Sequence, residues 1–511
     1  MSGFSNWQLP SVVGCGRLIG LSMSIALSGC VAYKDIHTSA SLAAPESFAS
    51  ARTLPAQGGV WPALDWPARV GGTALQDLVD EALKDNPGLQ AAQTRLAAAS
   101  ALADATRAAA GLGIGASANS TYQRYTEHGI IPPPLAGTMH SDNQVALNFS
   151  YDFDFWGKHA ADLRAVIAQG KSVEAEHYNA RLVLATAVAR TWLQLGRQNQ
   201  QLALTAQQKQ VRQHLDDLTQ RRIAAGLDTQ SDRQASQIQL EQLNAEQAQW
   251  QEAIALTRDQ LAALLGKGPD RGADIQGPVP IGLLPLDLPN SLPLQLIGRR
   301  PDVVAARWQV EAIQGEIASA RAQFYPNVNL NAFVGLSSLG LSNLLRSGSL
   351  IAGVGPAIRL PIFENGTLRA QLKGKVASYD GAVASYNQSI TQALQDVADQ
   401  MQSLRGVAQQ NQYQRNAVDA ASKSLQLSQQ RQRVGTGNQL QVLASESILL
   451  QQRRAEIDSR MRILDLQVGL IKALGGGFDA ATADLAIPGS PTPAGAATTN
   501  PIRPTSVKAA S

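Results

Sequence analysis

The sequence predicts a mainly helical protein that also carries membrane-crossing β-strands and consists of two copies of one unit. Three observations support this fold class. Glycines recur at a constant offset, two long stretches (160–224 and 368–433) contain no proline, and four short segments alternate apolar with polar residues. The composition agrees, because only 5% of the residues are aromatic and 16% are charged, which suits long helices with modest cores.

The charge balance excludes one class of partner. Lys and Arg together number 43, against 40 for Asp and Glu. A nucleic-acid-binding chain carries a clear basic excess, so we expect no nucleic-acid partner.

Residues 1–29 are predicted to be a lipoprotein signal peptide. The apolar stretch 18–28 (LIGLSMSIALS) follows Arg17 and is too short to cross a bilayer, which takes about 20 apolar residues. The run LSGC at 27–30 resembles the bacterial lipobox, in which the cysteine, here Cys30, is acylated and becomes the first residue of the mature chain. Residues 30–72 would then be a lipid-anchored segment. An ordinary signal peptide with an unrelated cysteine is the alternative.

Two consequences follow from cleavage before Cys30. Val31 and Ala32 come next, without an Asp at the second position, and resemblance to lipoprotein sorting rules then favours delivery to the outer membrane. Cys15 would be removed, which leaves one cysteine and no internal disulfide. Apart from the covalent lipid on Cys30, we expect no cofactor.

The chain contains an internal duplication. Three glycines recur 209 residues later: Gly157, Gly226 and Gly266 correspond to Gly366, Gly435 and Gly475. Upstream, Asn86-Pro87 corresponds to Arg300-Pro301 with an offset of 214, so the length difference falls in a loop before Gly157. We therefore predict repeat 1 at 73–266, a linker at 267–290 and repeat 2 at 291–475.

Each repeat begins with two short helices and a β-hairpin. The helices are predicted at 75–85 and 88–110, and at 292–298 and 302–323, since proline is tolerated in a first helical turn. The hairpins are predicted at 113–155 and 326–362. The clearest strand is 144–155 (QVALNFSYDFDF), in which polar and apolar residues alternate without a break. Each strand has the length of a tilted bilayer-crossing strand.

A long helical hairpin completes each repeat, at 158–266 and 367–475. Its outgoing helix of about 65 residues would be roughly 97 Å long. A glycine turn and a shorter return helix follow. Heptad spacing of apolar residues predicts coiled-coil packing, from Leu440 through Leu443 to Ile471 on the last helix and from Val376 to Leu404 on its partner.

Four strands cannot stand alone in a membrane. An open sheet edge leaves backbone groups without partners in lipid, and single-chain barrels begin at eight strands. The missing strands must come from self-association. The helices are too long and too polar for a bilayer, so we expect them to project into water.

Several segments resemble the outer-membrane efflux protein family of TolC and OprM. They are RRPDVVAARWQVEAIQGEIASARAQFYPNVNL (299–330), LPIFENGTLRAQL (360–372), YDFDFWGK (151–158) and VGTG (434–437). The resemblance covers about 70–475, and within the family it is closest to lipoproteins of the NodT/MdtP type.

The resemblance implies a TolC-like trimeric α/β barrel. Three chains would form a twelve-stranded transmembrane β-barrel and a periplasmic helical barrel, with an equatorial belt made by the short helices and the linker. Such a homotrimer is a passive conduit for small-molecule export substrates. Its implied partners are outer-membrane lipid, a periplasmic membrane-fusion adaptor and an inner-membrane pump. The substrates themselves stay undetermined, with drugs, dyes, detergents and aromatic acids all allowed.

The tips of the two helical hairpins are the predicted docking points for the adaptor. The resemblance assigns the following residues by position: Arg222, Gly226, Leu227, Thr229, Arg433, Val434, Gly435 and Thr436. Glycine also suits a tight turn by itself, because it adopts positive φ without strain.

A carboxylate gate is predicted near the first tip. In TolC, acidic residues shortly after the second tip form a constriction ring, whereas this chain has Gln441 and Ala444 there. The equivalent of Gln441 in repeat 1 is Asp232, so Asp232 and Asp228 are the candidate gate residues. The alternative is that an Asp beside a helix start caps the helix.

We found no catalytic motif and expect the protein not to be an enzyme. None of the six histidines stands in an HExxH pattern, although His128 and His140 fall in the predicted external loop 126–143. A periplasmic coiled-coil adaptor or scaffold lipoprotein is the alternative function, but it does not explain the strands. Residues 476–511, rich in Ala, Thr and Pro, are predicted to be a disordered tail.

Overall fold

The computed structural model describes residues 33, 35–44, 47–48, 52–54, 58–278, 292–361 and 364–486. The predicted signal peptide and Cys30 lie outside these residues. So do 279–290 of the predicted linker and 487–511 of the predicted tail.

Both repeats contain two shorter helices, two strands and a long helical hairpin, in the predicted order. Repeat 1 consists of α1 (Trp66–Asp85), α2 (Pro87–Ala109), β1 (Gly113–Arg124), β2 (Met139–Phe153), α3 (Lys158–Ala224) and α4 (Gln230–Leu264). A short helix, α5 (Pro269–Ala273), lies in the linker. Repeat 2 consists of α6 (Leu292–Arg299), α7 (Pro301–Ala322), β3 (Asn327–Leu339), β4 (Leu350–Arg359), α8 (Asn365–Arg433) and α9 (Gln439–Ala473).

Helix α1 begins earlier than the sequence predicts. It starts at Trp66 and breaks at Gly72, whose φ of 67° and ψ of −162° are not helical. The additional residues 66–74 are ordered because Trp66 and Val70 are buried in the central core, where they join Leu75 and Val79 from the predicted part of the helix. The predicted boundary at residue 73 therefore falls inside one packed element.

The four strands form one antiparallel sheet in the order β1-β2-β3-β4. Strand β2 pairs with β3 from Asp142 opposite Leu339 to Phe153 opposite Val328, so the hairpins of the two repeats share one sheet. His140 pairs with Gln123 inside the β1–β2 ladder. Its predicted position in the external loop is therefore wrong, because backbone pairing with β1 extends β2 beyond the alternating segment.

The sheet has one apolar and one polar face. Directly opposed residues share a face, and Leu147 lies opposite Ala116 and Val334, while Asn148 lies opposite Gly115. The apolar face comprises Ile114, Ala116, Ala118, Val145, Leu147, Phe149, Tyr151, Phe153, Val328, Leu330, Ala332, Val334, Leu336, Leu350, Ala352, Val354, Pro356 and Ile358. Many of its larger side chains are exposed in one chain, for example Val354 by 75% and Ile358 by 70%.

The long helices are slightly longer than predicted. Helix α3 has 67 residues and α8 has 69, which gives each a length of about 100 Å. The heptad prediction is confirmed at Leu443, Met461 and Val468, which are buried, but it is wrong at Leu440, which is 44% exposed beside the tip. Within the described part of the chain, none of the helices combines the length and the apolar content needed to cross a bilayer.

In both repeats, the residue before the second short helix donates a hydrogen bond to the end of the return helix. Asn86 at the start of α2 donates from Nδ2 to the carbonyl of Leu264 at the end of α4, at 2.9 Å. Arg300 at the equivalent place before α7 donates to the carbonyl of Ala473 at the end of α9, at 3.3 Å. The start of the second short helix thus supplies a donor to a free carbonyl at the end of the return helix.

The linker packs against the middle of the long helices. The indole Nε1 of Trp192 on α3 donates to the carbonyl of Gln276 at 3.0 Å. Pro278 lies so close to Gly196 that a Cβ there would be 2.3 Å from the proline ring. These contacts agree with a belt near mid-height of the helical hairpins.

The prediction of a disordered tail is wrong for its first residues, 476–485. The chain from Gly475 to Leu485 packs between α3 and α7, where Phe478, Ala480 and Leu485 are buried with Trp308. The indole Nε1 of Trp308 donates to the carbonyl of Leu485 at 3.0 Å. Composition suggested disorder, but these few apolar side chains pack against residues of α3 and α7.

Substitution Leu485→Ala is expected to lower the free energy of unfolding by about 2–5 kcal/mol, because it empties a fully buried leucine site. Thermal unfolding followed by circular dichroism measures the effect. Leu345→Ala is the matched control, since that leucine is 88% exposed. Equal melting temperatures for the two variants would contradict the packing of this segment.

Candidate functional site at the helical hairpin tips

Both long hairpins turn through the same backbone motif. In the first tip, Leu227 N donates to Arg222 O at 2.8 Å and Gly226 N to Ile223 O at 2.9 Å. In the second, Thr436 N donates to Arg431 O at 2.9 Å and Gly435 N to Gln432 O at 3.1 Å. This is the Schellman arrangement, and the residue at C′ needs positive φ.

Glycine meets that need at both tips. The φ of Gly226 is 71° and that of Gly435 is 77°. No atom lies within 4 Å of a Cβ built on either glycine, so the backbone conformation and not crowding requires the residue.

The first return helix starts with a capping box. The Asp232 carboxylate accepts from Thr229 N at 2.8 Å and from Thr229 Oγ1 at 2.7 Å, while Asp232 N donates to Thr229 Oγ1. These hydrogen bonds, first from the Thr229 side chain and then from its backbone, lower the pKa of Asp232. Asp232 is therefore ionised at neutral pH and acts as part of a helix cap.

Asp228 is paired with Arg222 across the turn. The guanidinium donates from Nε at 2.8 Å and from Nη2 at 2.9 Å, so the contact is bidentate. This hydrogen bonding lowers the pKa of Asp228 below its ordinary value. Both candidate gate carboxylates thus have partners within their own tip, and their role as a gate stays a prediction.

The second tip makes the same backbone turn, but its return helix is capped by an asparagine. Asn438 caps α9 and accepts from Gln441 N at 2.9 Å. Residues 430–441 contain no carboxylate, in contrast to the first tip. Copies of the first tip brought together would bring carboxylates and their neighbouring Arg222 close together, whereas copies of the second would bring no carboxylate.

The outermost side chains of the tips are apolar and exposed. Leu227 is 65% exposed and Val434 is 73% exposed. They are not equivalent by the 209 offset, which aligns Leu227 with Thr436. The structure brings Arg222, Gly226 and Thr229 into one turn, and Arg433 and Thr436 into the other.

Arg431 was not among the predicted residues of the second tip, although it contributes to the turn. The offset of 209 aligns it with Arg222, and its carbonyl accepts from Thr436 N, Gly437 N and Thr436 Oγ1. Arg431 stands four residues before Gly435, just as Arg222 stands four residues before Gly226, so the offset of 209 predicts it. Arg433, which was selected instead, is equivalent to Ala224.

The profile of one known protein family matches this chain in two segments. The outer membrane efflux protein profile matches residues 78–267 and again residues 292–476. The two matched segments begin 214 residues apart and end 209 apart, which are the offsets of the duplication.

Two curated relatives and one solved structure are similar to this chain. The fusaric acid resistance protein FusA of Burkholderia cepacia is 33% identical over 371 residues, covering 71% of this chain and 70% of FusA. The multidrug resistance outer membrane protein MdtP of Escherichia coli O6:H1 is 29% identical over 491 residues, covering 93% of this chain and 98% of MdtP. The outer membrane protein VceC of Vibrio cholerae is 35% identical with a TM-score of 0.73, over 82% of this chain and 100% of VceC.

An amphipathic four-stranded sheet is joined to two helices about 100 Å long, each followed by a shorter return helix. This architecture is that of outer-membrane channel proteins. Within that class, the chain belongs to the outer membrane efflux protein family. The predicted resemblance and the predicted TolC-like fold are both confirmed.

Proposed function

We propose that this protein is the lipid-anchored outer-membrane channel of a tripartite efflux system and conducts small toxic compounds out of the cell. The observation that carries the proposal is the sheet, whose exposed apolar face suits lipid while its opposite face is polar. The relatives support the class of substrate, because one is a fusaric acid resistance protein and another a multidrug resistance outer membrane protein.

The two edges of the sheet support self-association, and the family resemblance implies that three chains close the barrel. Within the described chain, β1 and β4 each pair on one side only. Backbone groups exposed at such edges cannot remain unpaired in hydrocarbon, and pairing β4 of one chain with β1 of the next satisfies them. Three chains give twelve strands of 10–15 residues, long enough to cross a bilayer when tilted.

The N-terminal segment supports a lipid anchor on Cys30. Tyr33 lies at the base of the sheet, where its hydroxyl is 3.1 Å from that of Tyr325 and its ring contacts Phe324. The aromatic pair Trp156 and Tyr325, stacked at 4.4 Å, is at the same level. Aromatic residues of this kind mark a membrane interface. Three residues span at most about 10 Å, so Cys30 would reach the inner surface of the outer membrane.

The tips support contact with an adaptor. They are about 100 Å from the sheet along α3 and α8, and they present exposed Leu227 and Val434 beside arginines. Exposed apolar residues at the end of a long helical hairpin suit a protein partner. The proposed partner is a periplasmic membrane-fusion adaptor, which would join the channel to an inner-membrane pump. The pump supplies the energy.

Asp228 and Asp232 form the proposed periplasmic gate. In a trimer the first tip would contribute three copies of each carboxylate around a narrow opening. Such carboxylates repel one another and attract cations. Their hydrogen bonds within each tip keep them charged at neutral pH.

Removing the charge of Asp232 should widen or neutralise the opening. We expect Asp232→Asn to raise single-channel conductance or lower cation selectivity in planar bilayers, because the amide keeps an oxygen for the Thr229 cap but carries no charge. Asp419→Asn, at an exposed carboxylate on α8, is the control. Wild-type conductance in both variants would reject the gate and leave the channel standing. A folded wild type that forms no pore, even with variants that loosen the tips, would favour a scaffold lipoprotein instead.

Apolar contacts at the tips should be required for export. Leu227→Asp combined with Val434→Asp is expected to abolish export of ethidium by cells that contain the channel and its own pump, while trimers still form. Leu345→Asp carries the same change at an exposed leucine near the opposite end of the molecule and should export normally. Normal export by the tip variant would contradict adaptor docking at these residues.

The lipid should be attached at Cys30. We expect Cys30→Ser to abolish incorporation of radiolabelled palmitate, because the thiol is the acylated group. Cys15→Ser, in the removed segment, should be labelled like wild type. Continued labelling of the Cys30 variant would exclude this attachment site.

A further inference from the structure

Among Phe, Tyr and Trp side chains, the polar face of the described sheet carries one, Phe333. Along the four strands this face otherwise consists mainly of Asn, Ser, Thr, Gln and Gly. Phe333 is in the middle of β3, directly opposite Asn148 on β2 and Gly353 on β4. A single exposed apolar side chain is common on protein surfaces, so the surroundings of Phe333 decide what it can contact.

The ring of Phe333 lies over the backbone of Gly353. A Cβ built on Gly353 would be 2.6 Å from Cε1 and 2.7 Å from Cζ of the phenylalanine ring. The ring therefore occupies the space of the missing side chain on the next strand. Covering a strand glycine with an aromatic ring in this way stabilises the pairing of the two strands.

Part of the Phe333 side chain remains exposed. Phe333 is 40% exposed, although it is in contact with β4 on its inner side. Its neighbours toward β4 include Gly353, Gly355 and, one row further along, Ile351 opposite Gly335. A partly exposed aromatic ring beside two glycines is available for a second ring to stack on.

Phe333 is placed at mid-height of the strands. Six residues separate it from Asn327 at the base of β3, which corresponds to about 20 Å along the strand. With the usual tilt this is near the centre of an apolar band about 25 Å tall.

We infer that Phe333 is a contact residue for aromatic export substrates inside the pore. The inference rests on the proposed function, because it requires three sheets to close with their polar faces inward. Three copies of Phe333 then place aromatic surfaces in a lumen lined mainly by polar side chains and glycine. Planar aromatic molecules stack on these rings and pass from one to another, whereas hydrophilic solutes find no such contact.

Binding of ethidium to purified trimers in lipid nanodiscs tests the inference, and it does not require open tips. Ethidium fluorescence is titrated against protein, with empty nanodiscs subtracted. Phe333→Ala is expected to weaken binding about fivefold, the factor that corresponds to roughly 1 kcal/mol of aromatic stacking. Phe333→Tyr, which keeps a ring, should bind like wild type.

Two controls separate stacking from other effects. Tyr151→Ala removes an aromatic residue of similar exposure, 38%, from the opposite, apolar face and should not change binding. Phe333→Leu keeps an apolar cover over Gly353 and should assemble normally, yet bind as weakly as the alanine variant. If Phe333→Ala does not fold, the leucine variant alone decides the question.

Each outcome has one meaning. Wild-type affinity in Phe333→Leu would show that the residue only covers Gly353 and would overturn the inference. Equal losses in Tyr151→Ala and Phe333→Ala would also overturn it, because binding would then be unspecific. Failure of the wild type to form trimers would instead reject the proposed function, and this inference with it.

Discussion

The pairing of β2 with β3 is the interaction on which the rest of the structure depends. It joins the hairpins of two repeats into one sheet and sets their register, from Asp142 opposite Leu339 to Phe153 opposite Val328. Because side chains alternate along a strand, a slip of one residue would move every apolar side chain of one hairpin to the polar face. With the observed register, four strands share one continuous apolar face. The long helices then leave the same end of the sheet and run together to the tips.

The two repeats agree where backbone geometry is demanding and differ where charge is involved. Equivalent glycines turn both tips, and equivalent residues before the second short helix, Asn86 and Arg300, each reach the end of a return helix. The tips nevertheless differ in chemistry, since Asp228 and Asp232 belong to the first, whereas the second has Asn438 as its cap and no carboxylate between 430 and 441. Duplication thus preserved the turns, whose conformation few residues can adopt. The ionisable groups were free to diverge.

Polar contacts hold the two helical hairpins in register along their length. Arg197 on α3 pairs with Asp458 on α9 at 2.7 Å, and Gln201 donates to the same carboxylate at 2.9 Å. Nearer the tips, the contact between these helices is apolar and involves Leu204, Val211, Leu443 and Leu450. Apolar contacts tolerate sliding, while a hydrogen-bonded pair fits at one relative position. The paired residues therefore define the alignment, and the apolar ones supply most of the burial.

The repeats, the order of elements, the strand faces and the tip turns could all be predicted from the amino-acid sequence. Each of these follows from local rules: glycine for positive φ, proline in a first helical turn, and alternation along a strand. Tertiary structure alone decided the features that depend on distant partners. Leu485 is buried because Trp308 and α3 provide a site for it, and His140 belongs to β2 because β1 pairs with it. The position of Phe333 over Gly353 likewise required the register of β3 and β4, since the two residues are 20 apart in the chain and nothing in either one predicts the other.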